Sequence, residues 1–178
     1  MHKKIPKKYY FIKKFDKSNI DKQDNNTAII YRNYSKKTEK KEILKLKYYC
    51  KKKGLKFLLS NNIKLSLKLD LDGAYLPSFN KNTQHLNYNF KSNFLIIGSA
   101  HNLKEIRIKE KQKVNCIFLS PIFYIKKSKK SLGIQKFNFL SNYTQKKIIC
   151  LGGLNKKNIK KIKLLNIYGI ASISLFKK

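Results

Sequence analysis

The sequence predicts a single α/β domain spanning residues 1–178, folded as a shortened (β/α)8 barrel. Three observations predict it. Short apolar runs that read as buried strands recur eight times, with helical patterns in most of the gaps. The last two runs, Cys150-Leu151-Gly152-Gly153-Leu154 and Gly169-Ile170-Ala171-Ser172-Ile173-Ser174, end in small residues and are separated by about one helix of lysine-rich sequence over 155–166. Polar residues suited to ligand binding fall after many different strands, whereas an open doubly wound sheet gathers them at one switch point.

The elements follow in order. Residues 9–12 (Tyr-Tyr-Phe-Ile) are an aromatic first strand, and the brief segment 16–26 leaves room only for a vestigial first helix. Residues 27–32 form a second strand rich in β-branched side chains. Thr38 and Glu42 open a helix whose apolar face, Ile43, Leu44, Leu46 and Tyr49, runs up to a stop at Gly54. Residues 55–59 are the third strand. The segment 63–69 alternates like a strand, but its place between two strands makes it a short helix. Strands at 73–76 and 94–98 flank a polar loop, 80–93. A helix over 103–113, a strand at 116–119, a helix over 137–143 and strands at 148–151 and 169–174 complete the set. No closing helix follows the eighth strand, so an apolar flank on strands one and eight is left for a dimer partner or a looser first turn to cover.

Composition narrows the function classes. The formal charge is +33, from 42 Lys+Arg against 9 Asp+Glu, yet Arg32 and Arg107 are the two arginines and alanine occurs at 28, 74, 100 and 171 alone. Lysine, asparagine, isoleucine, tyrosine and phenylalanine are inflated together, as in AT-rich coding sequence. Readers of base edges rely on the bidentate guanidinium fork, so no specific nucleic-acid partner is expected. The basic surface binds polyanions weakly and in a salt-dependent way. Cys50, Cys116 and Cys150 show no CxxC spacing and read as core residues of a reducing compartment. No apolar run approaches the ~18 residues of a membrane span, and the basic N-terminus lacks an apolar signal region, so a cytoplasmic protein without a membrane partner is expected.

Two consecutive strands ending in Gly-Gly and Ser-Ile-Ser present backbone N–H groups and hydroxyls at one end of a sheet. A (β/α) barrel holds phosphate after its seventh and eighth strands in this way. The plainer alternative is a pair of tightly packed strand ends that hold nothing. Other motifs join them: Arg32 after strand two, Asp72-Gly73-Ala74-Tyr75-Leu76, Gly98-Ser99-Ala100-His101-Asn102-Leu103, Ser120-Pro121-Ile122-Phe123, and Leu132-Gly133. In that order, from about residue 9 to 176, the series resembles the thiamine phosphate synthase and thiazole tautomerase superfamily.

The resemblance implies a phosphorylated small-molecule substrate. In the synthase reaction a hydroxymethylpyrimidine diphosphate alkylates a hydroxyethylthiazole phosphate. Gly152, Gly153, Ser172 and Ser174 then correspond to the thiazole phosphate site, Ser99 to a polar residue near the diphosphate, and Arg32 to the arginine of a Gln-x-Arg-Glu-Lys signature. That signature reads Ile30-Tyr31-Arg32-Asn33-Tyr34 here. The two positions implied to carry magnesium-binding carboxylates are Asn61 and Asn80, and Mg²⁺ is poorly held without a carboxylate. In place of a Pro-Thr-x-x-Lys turn stands Tyr124-Ile125-Lys126-Lys127-Ser128-Lys129, so Lys126, Lys127 and Lys129 are the candidates to neutralise a diphosphate. The tautomerase branch implies a general acid/base at His101, a task that suits its pKa near neutrality. The alternatives are that His101 caps the following helix and that Arg32 pairs with Asp72. A divergent thiamine phosphate synthase is the leading expectation, with a thiazole tautomerase or a catalytically silent binding barrel beside it. Asp70 and Asp72 fall at the wrong barrel end for catalysis, and His85 reads as solvated.

Overall fold

The computed structural model describes residues 4–34, 40–125 and 131–176. Eight parallel strands form a closed barrel in chain order: β1 (Lys8–Ile12), β2 (Thr27–Tyr31), β3 (Lys56–Ser60), β4 (Gly73–Leu76), β5 (Leu95–Ala100), β6 (Cys116–Leu119), β7 (Lys147–Leu151) and β8 (Gly169–Ser172), with β8 paired to β1. The helices between them are α1 (Lys17–Asp21), α2 (Lys40–Lys52), α3 (Ile63–Lys68), α4 (Leu103–Lys111) and α5 (Gly133–Ser141). A 3-10 turn, Gln84–Asn87, occupies the β4–β5 connection.

Local chemistry explains the helices that the sequence left most open. The alternating segment after β3 is helical because Asn61 turns left-handed (φ 59°) and Asn62 caps α3, its Oδ1 accepting from Leu65 N at 3.0 Å. The first helix is vestigial as expected, five residues capped by Asp16. The lysine-rich segment between β7 and β8 departs from expectation. Instead of an α-helix over 155–166 it forms an Asx turn, with Asn155 Oδ1 accepting from Lys157 N and Asn158 N at 2.9 and 3.0 Å, then a 3-10 stretch, Ile159–Leu164. The side chain satisfies N–H groups that a helix start would leave open, and no residue of the 3-10 stretch is fully buried to hold a helical face against the sheet.

Alternation within the strands sends one set of side chains outward, against the helices, and the other into the lumen. The lumen set is Tyr9, Phe11, Ala28, Ile30, Leu58, Tyr75, Leu95, Ile97, Cys116, Phe118, Ile149 and Ala171. Four rings fill its centre: Phe118 lies edge to face with Tyr9 at 4.8 Å and Phe11 at 5.9 Å, Phe11 likewise with Tyr75 at 5.2 Å, and Tyr75 is tilted against Phe118 at 5.6 Å. Tyr9 and Tyr10 are buried in the core, whereas Tyr48 on α2 faces solvent.

No helix follows β8 among the described residues. The flank is covered instead by the returning chain: Phe176 packs edge-on against Tyr10, and its carbonyl accepts from Gln23 Nε2 at 3.1 Å. Cys50, Cys116 and Cys150 are free thiols buried in the core, each pushed up to about 12 by burial. Among the described residues no helix is long and apolar enough to cross a membrane.

The ring cluster generates a stability prediction. Replacing the fully buried Phe118 by alanine removes three ring contacts and opens a cavity the closed strands cannot collapse. Urea unfolding of Phe118→Ala should show a loss of about 3–5 kcal/mol, against less than about 1.5 kcal/mol for Phe118→Leu if the smaller side chain repacks.

Candidate active site

The C-terminal strand ends form a mouth whose floor is the lumen cluster. Arg32 follows Ile30 in the inward phase of β2, and its guanidinium carbon lies 4.7 Å above the Phe11 ring. Among the described residues it makes no ion pair. The alternative pairing with Asp72 is not made, because Asp72 sits at the opposite barrel end, where its Oδ2 accepts from Phe57 N at 2.9 Å. Ser99 continues the inward phase of β5. It is buried, and its Oγ accepts from the Tyr75 hydroxyl at 2.9 Å. Burial pushes the Tyr75 phenol up to about 12, so the proton stays on tyrosine.

His101 lies just beyond β5. Its Nδ1 is 2.6 Å from the Ser120 carbonyl and 3.2 Å from Ser120 Oγ. A carbonyl can only accept, so Nδ1 donates, and in the neutral ring the lone pair lies on Nε2. The capping role belongs to its neighbours: Asn102 Oδ1 accepts from Glu105 N at 2.9 Å, and Glu105 Oε2 accepts from His101 N at 2.7 Å.

The β7 and β8 ends are adjacent, and the pairing of Leu151 with Ala171 sets Gly152 level with Ser172. Gly152 and Gly153 adopt φ of 95° and 74°, and a Cβ on either would fall 2.8 Å from Pro121 Cβ or 2.6 Å from Phe123 O. The glycines are therefore required by the β6 loop, which crosses here with Ile122 N donating to Leu151 O at 3.0 Å and Phe123 N to Gly152 O at 3.2 Å. Packing thus accounts for their lack of side chains. It does not account for their donors: among the described residues the N–H groups of Gly152, Gly153, Ile173 and Ser174 bond to no protein atom. Ser172 Oγ accepts from Leu175 N at 3.0 Å and keeps its own proton to donate, while Ser174 Oγ donates to Leu154 O at 3.4 Å. The arrangement can hold a small oxyanion.

The opposite side of the mouth carries a pair of amides. Asn80 Nδ2 donates to Asn61 Oδ1 at 2.7 Å, and Asn80 Oδ1 accepts from Asn82 N at 2.9 Å and Gln112 Nε2 at 3.3 Å. Behind the pair, fully buried, Lys109 Nζ donates to Pro77 O (2.8 Å), Asn80 O (2.7 Å) and Gln112 Oε1 (2.9 Å). Gly98 makes room for this lysine, since a Cβ there would lie 2.6 Å from Lys109 Cδ. These residues do not fit magnesium. Both amides are neutral, Asn80 has spent its side-chain hydrogen bonds on the protein, and a cation stands behind them. Among the described residues no three His, Cys, Asp or Glu side chains gather to hold a metal.

Sequence reasoning missed Lys109, because lysine at every surface position hides one that is buried. It also misplaced His85, which is buried with Nε2 2.9 Å from Gln112 O in the same braced loop. Lys126, Lys127 and Lys129 lie outside the described residues. A cavity of about 730 Å³ opens at the N-terminal barrel end, away from these groups. Its carboxylates are engaged within the protein, Asp70 by Lys91 and Lys47 and Asp72 by the β3 backbone.

Residues 22–176 match the family described as thiamine monophosphate synthase. The chain is 32% identical over 135 residues to the thiamine-phosphate synthase of Prochlorococcus marinus strain SARG, covering 75% of this chain and 39% of that protein. It is 24% identical over 145 residues to the thiamine-phosphate synthase of Fusobacterium nucleatum, covering 80% and 70%. The chain therefore spans well under half of the Prochlorococcus protein. Thiamine phosphate pyrophosphorylase from Pyrococcus furiosus shares the fold, with a TM-score of 0.75 at 18% identity over 96% of this chain and 86% of that one.

Lys109 generates a pH prediction. Burial lowers its ammonium from 10.5 to about 8. Between pH 8 and 10.5 the unfolded chain binds a proton that the folded chain has released, so this residue's contribution to stability rises with pH across that window and is flat below it. The difference in unfolding free energy between the protein and Lys109→Met, measured by denaturant titration from pH 6 to 10.5, should be constant to about pH 8 and then shift in favour of the lysine form. A difference that stays flat throughout contradicts this assignment.

Proposed function

The chain belongs to the thiamine monophosphate synthase family, and on that premise we propose that it joins a hydroxymethylpyrimidine diphosphate to a hydroxyethylthiazole phosphate. The single observation carrying this reading is the set of unbonded N–H groups at Gly152, Gly153, Ile173 and Ser174, on adjacent strand ends and suited to the thiazole's phosphate. The named relatives, both thiamine-phosphate synthases, support it.

The reaction asks little covalent chemistry of the protein. The bond between the pyrimidine methylene and the diphosphate oxygen breaks, and pyrophosphate leaves with the electron pair. The thiazole nitrogen lone pair then closes the new C–N bond, giving a thiazolium without transfer of a proton. Positioning and charge stabilisation supply the rate. Arg32, fixed above Phe11, offers cationic charge to the departing diphosphate, and the Ser99 hydroxyl, oriented by Tyr75, offers a donor beside it. His101 favours a second reading. With Nδ1 committed to Ser120 O, its Nε2 is a base for proton transfer on a thiazole carboxylate phosphate.

The test is thiamine phosphate formation from the two substrates, followed by oxidation to the fluorescent product. Product is expected, with Arg32→Ala lowering kcat/KM by at least roughly a hundredfold, as for loss of a charge-stabilising group. A folded protein that yields no product but isomerises the thiazole carboxylate phosphate, and loses that activity in His101→Gln, would replace the first reading by the second.

A further inference from the structure

The cavity of about 730 Å³ at the N-terminal barrel end lies on the face opposite the mouth. Six lysines line it, Lys4, Lys7, Lys47, Lys51, Lys56 and Lys91, against two carboxylates, Asp70 and Asp72. Both carboxylates are spent: Asp72 accepts from the Phe57 backbone, and Asp70 is shared by Lys91 and by Lys47 at 3.8 Å. Among the described residues Lys4, Lys7, Lys51 and Lys56 make no salt bridge. Like charges around one concavity focus their field into it and raise the local concentration of anions.

Lysine is abundant over the whole chain, so charge alone says little here. This end differs because its walls are built. Tyr168 anchors one of them: its hydroxyl donates to Ile5 O at 3.0 Å, and its ring lies 5.8 Å from Lys7 Nζ and 4.2 Å from Lys147 Nζ. Ile170 N donates to Lys7 O at 2.8 Å, an approach that Gly169 permits, since a Cβ there would fall 2.2 Å from the same oxygen. Another wall is the end of α2, where Lys47 and Lys51 stand one turn apart on the same face. A helix C-terminus repels anions through its open carbonyls. Here they are occupied, with Gly54 N donating to Lys51 O at 3.1 Å and Leu55 N to Cys50 O at 2.9 Å.

We propose that this cavity binds an oligophosphate chain, inorganic or carried by a nucleotide. The volume is that of a small-molecule site. The excess of ammonium groups over carboxylates matches a ligand with several negative charges in a row. Lysines are compact point charges with three donors each, which suits the many oxygens of a flexible phosphate chain. The site is separate from the mouth and does not depend on what the mouth binds.

The test is calorimetric titration of the full chain with tripolyphosphate in about 0.15 M salt, where attraction to the general surface is screened. One chain should bind one tripolyphosphate. Lys7→Gln/Lys51→Gln removes an exposed charge from each of the two walls and should weaken binding by roughly tenfold, as for charge-assisted hydrogen bonds. Lys136→Gln/Lys160→Gln, at exposed positions that do not line the cavity, should stay within about twofold, and so should Arg32→Ala at the mouth. Circular dichroism checks that each variant keeps the fold. Titration with ATP separates the two sources: tighter binding than tripolyphosphate identifies a nucleotide, and equal or weaker binding the inorganic chain. Absence of saturable binding, or equal weakening by the two lysine pairs, reduces the cavity to diffuse surface charge and overturns the proposal. Weakening by Arg32→Ala without weakening by Lys7→Gln/Lys51→Gln moves the anion to the mouth and overturns it as well.

Discussion

The mutual packing of the Tyr9, Phe11, Tyr75 and Phe118 rings inside the lumen is the contact on which the rest of the structure depends. Strands of four to six residues give a shallow barrel, with few layers of side chains to fill it. Rings supply that volume in one central layer, with Ile30, Leu58, Ile97 and Ile149 around it. The same rings are the floor of the mouth. Arg32 rests on Phe11 and Ser99 is oriented by Tyr75, so the two groups closest to the lumen are placed by the packing that holds the sheet closed.

Above that floor the mouth divides by charge and donor type. One side, at β7 and β8, presents backbone N–H groups, those of Gly152 and Gly153 held by the crossing β6 loop. The other, at β2 to β4, presents amides, hydroxyls and rings. Between them stand Arg32, a cation with no carboxylate partner among the described residues, and His101 with its protonated nitrogen turned to Ser120. A high overall charge does not enter this arrangement. Most lysines sit on the outside, where screening leaves their mutual repulsion small. Among the described residues Lys109 is the buried exception, and it binds three neutral acceptors, two of them carbonyls of the β4–β5 loop.

Much of this was legible in the sequence, for physical reasons that differ from place to place. The strands were readable because a parallel sheet buried on both faces demands continuous apolar runs. The segment at α3 was readable against its own alternation, because a chain of that length between two parallel strands has to cross over. Order along the strand ends placed Arg32, Ser99, His101 and Gly152–Gly153 on one rim. What failed was anything decided by a single side-chain bond. The Asn155 turn replaced a helix, His85 went inside a loop that looked solvated, and Asn102 took the cap that His101 was offered. Lys109 had no signal of its own, although Gly98, in a strand of otherwise larger residues, marks the space its stem occupies.

The three cysteines carry a practical consequence. They lie on α2, β6 and β7, and each is buried and held protonated well above neutral pH. Alkylating reagents and oxidants attack the exposed thiolate, so the native barrel offers them no target. A molecule that opens offers up to three, on elements spread around the sheet. Thiol reactivity is thus a built-in clock for barrel opening, with Cys50 reporting the helical layer and Cys116 the lumen itself.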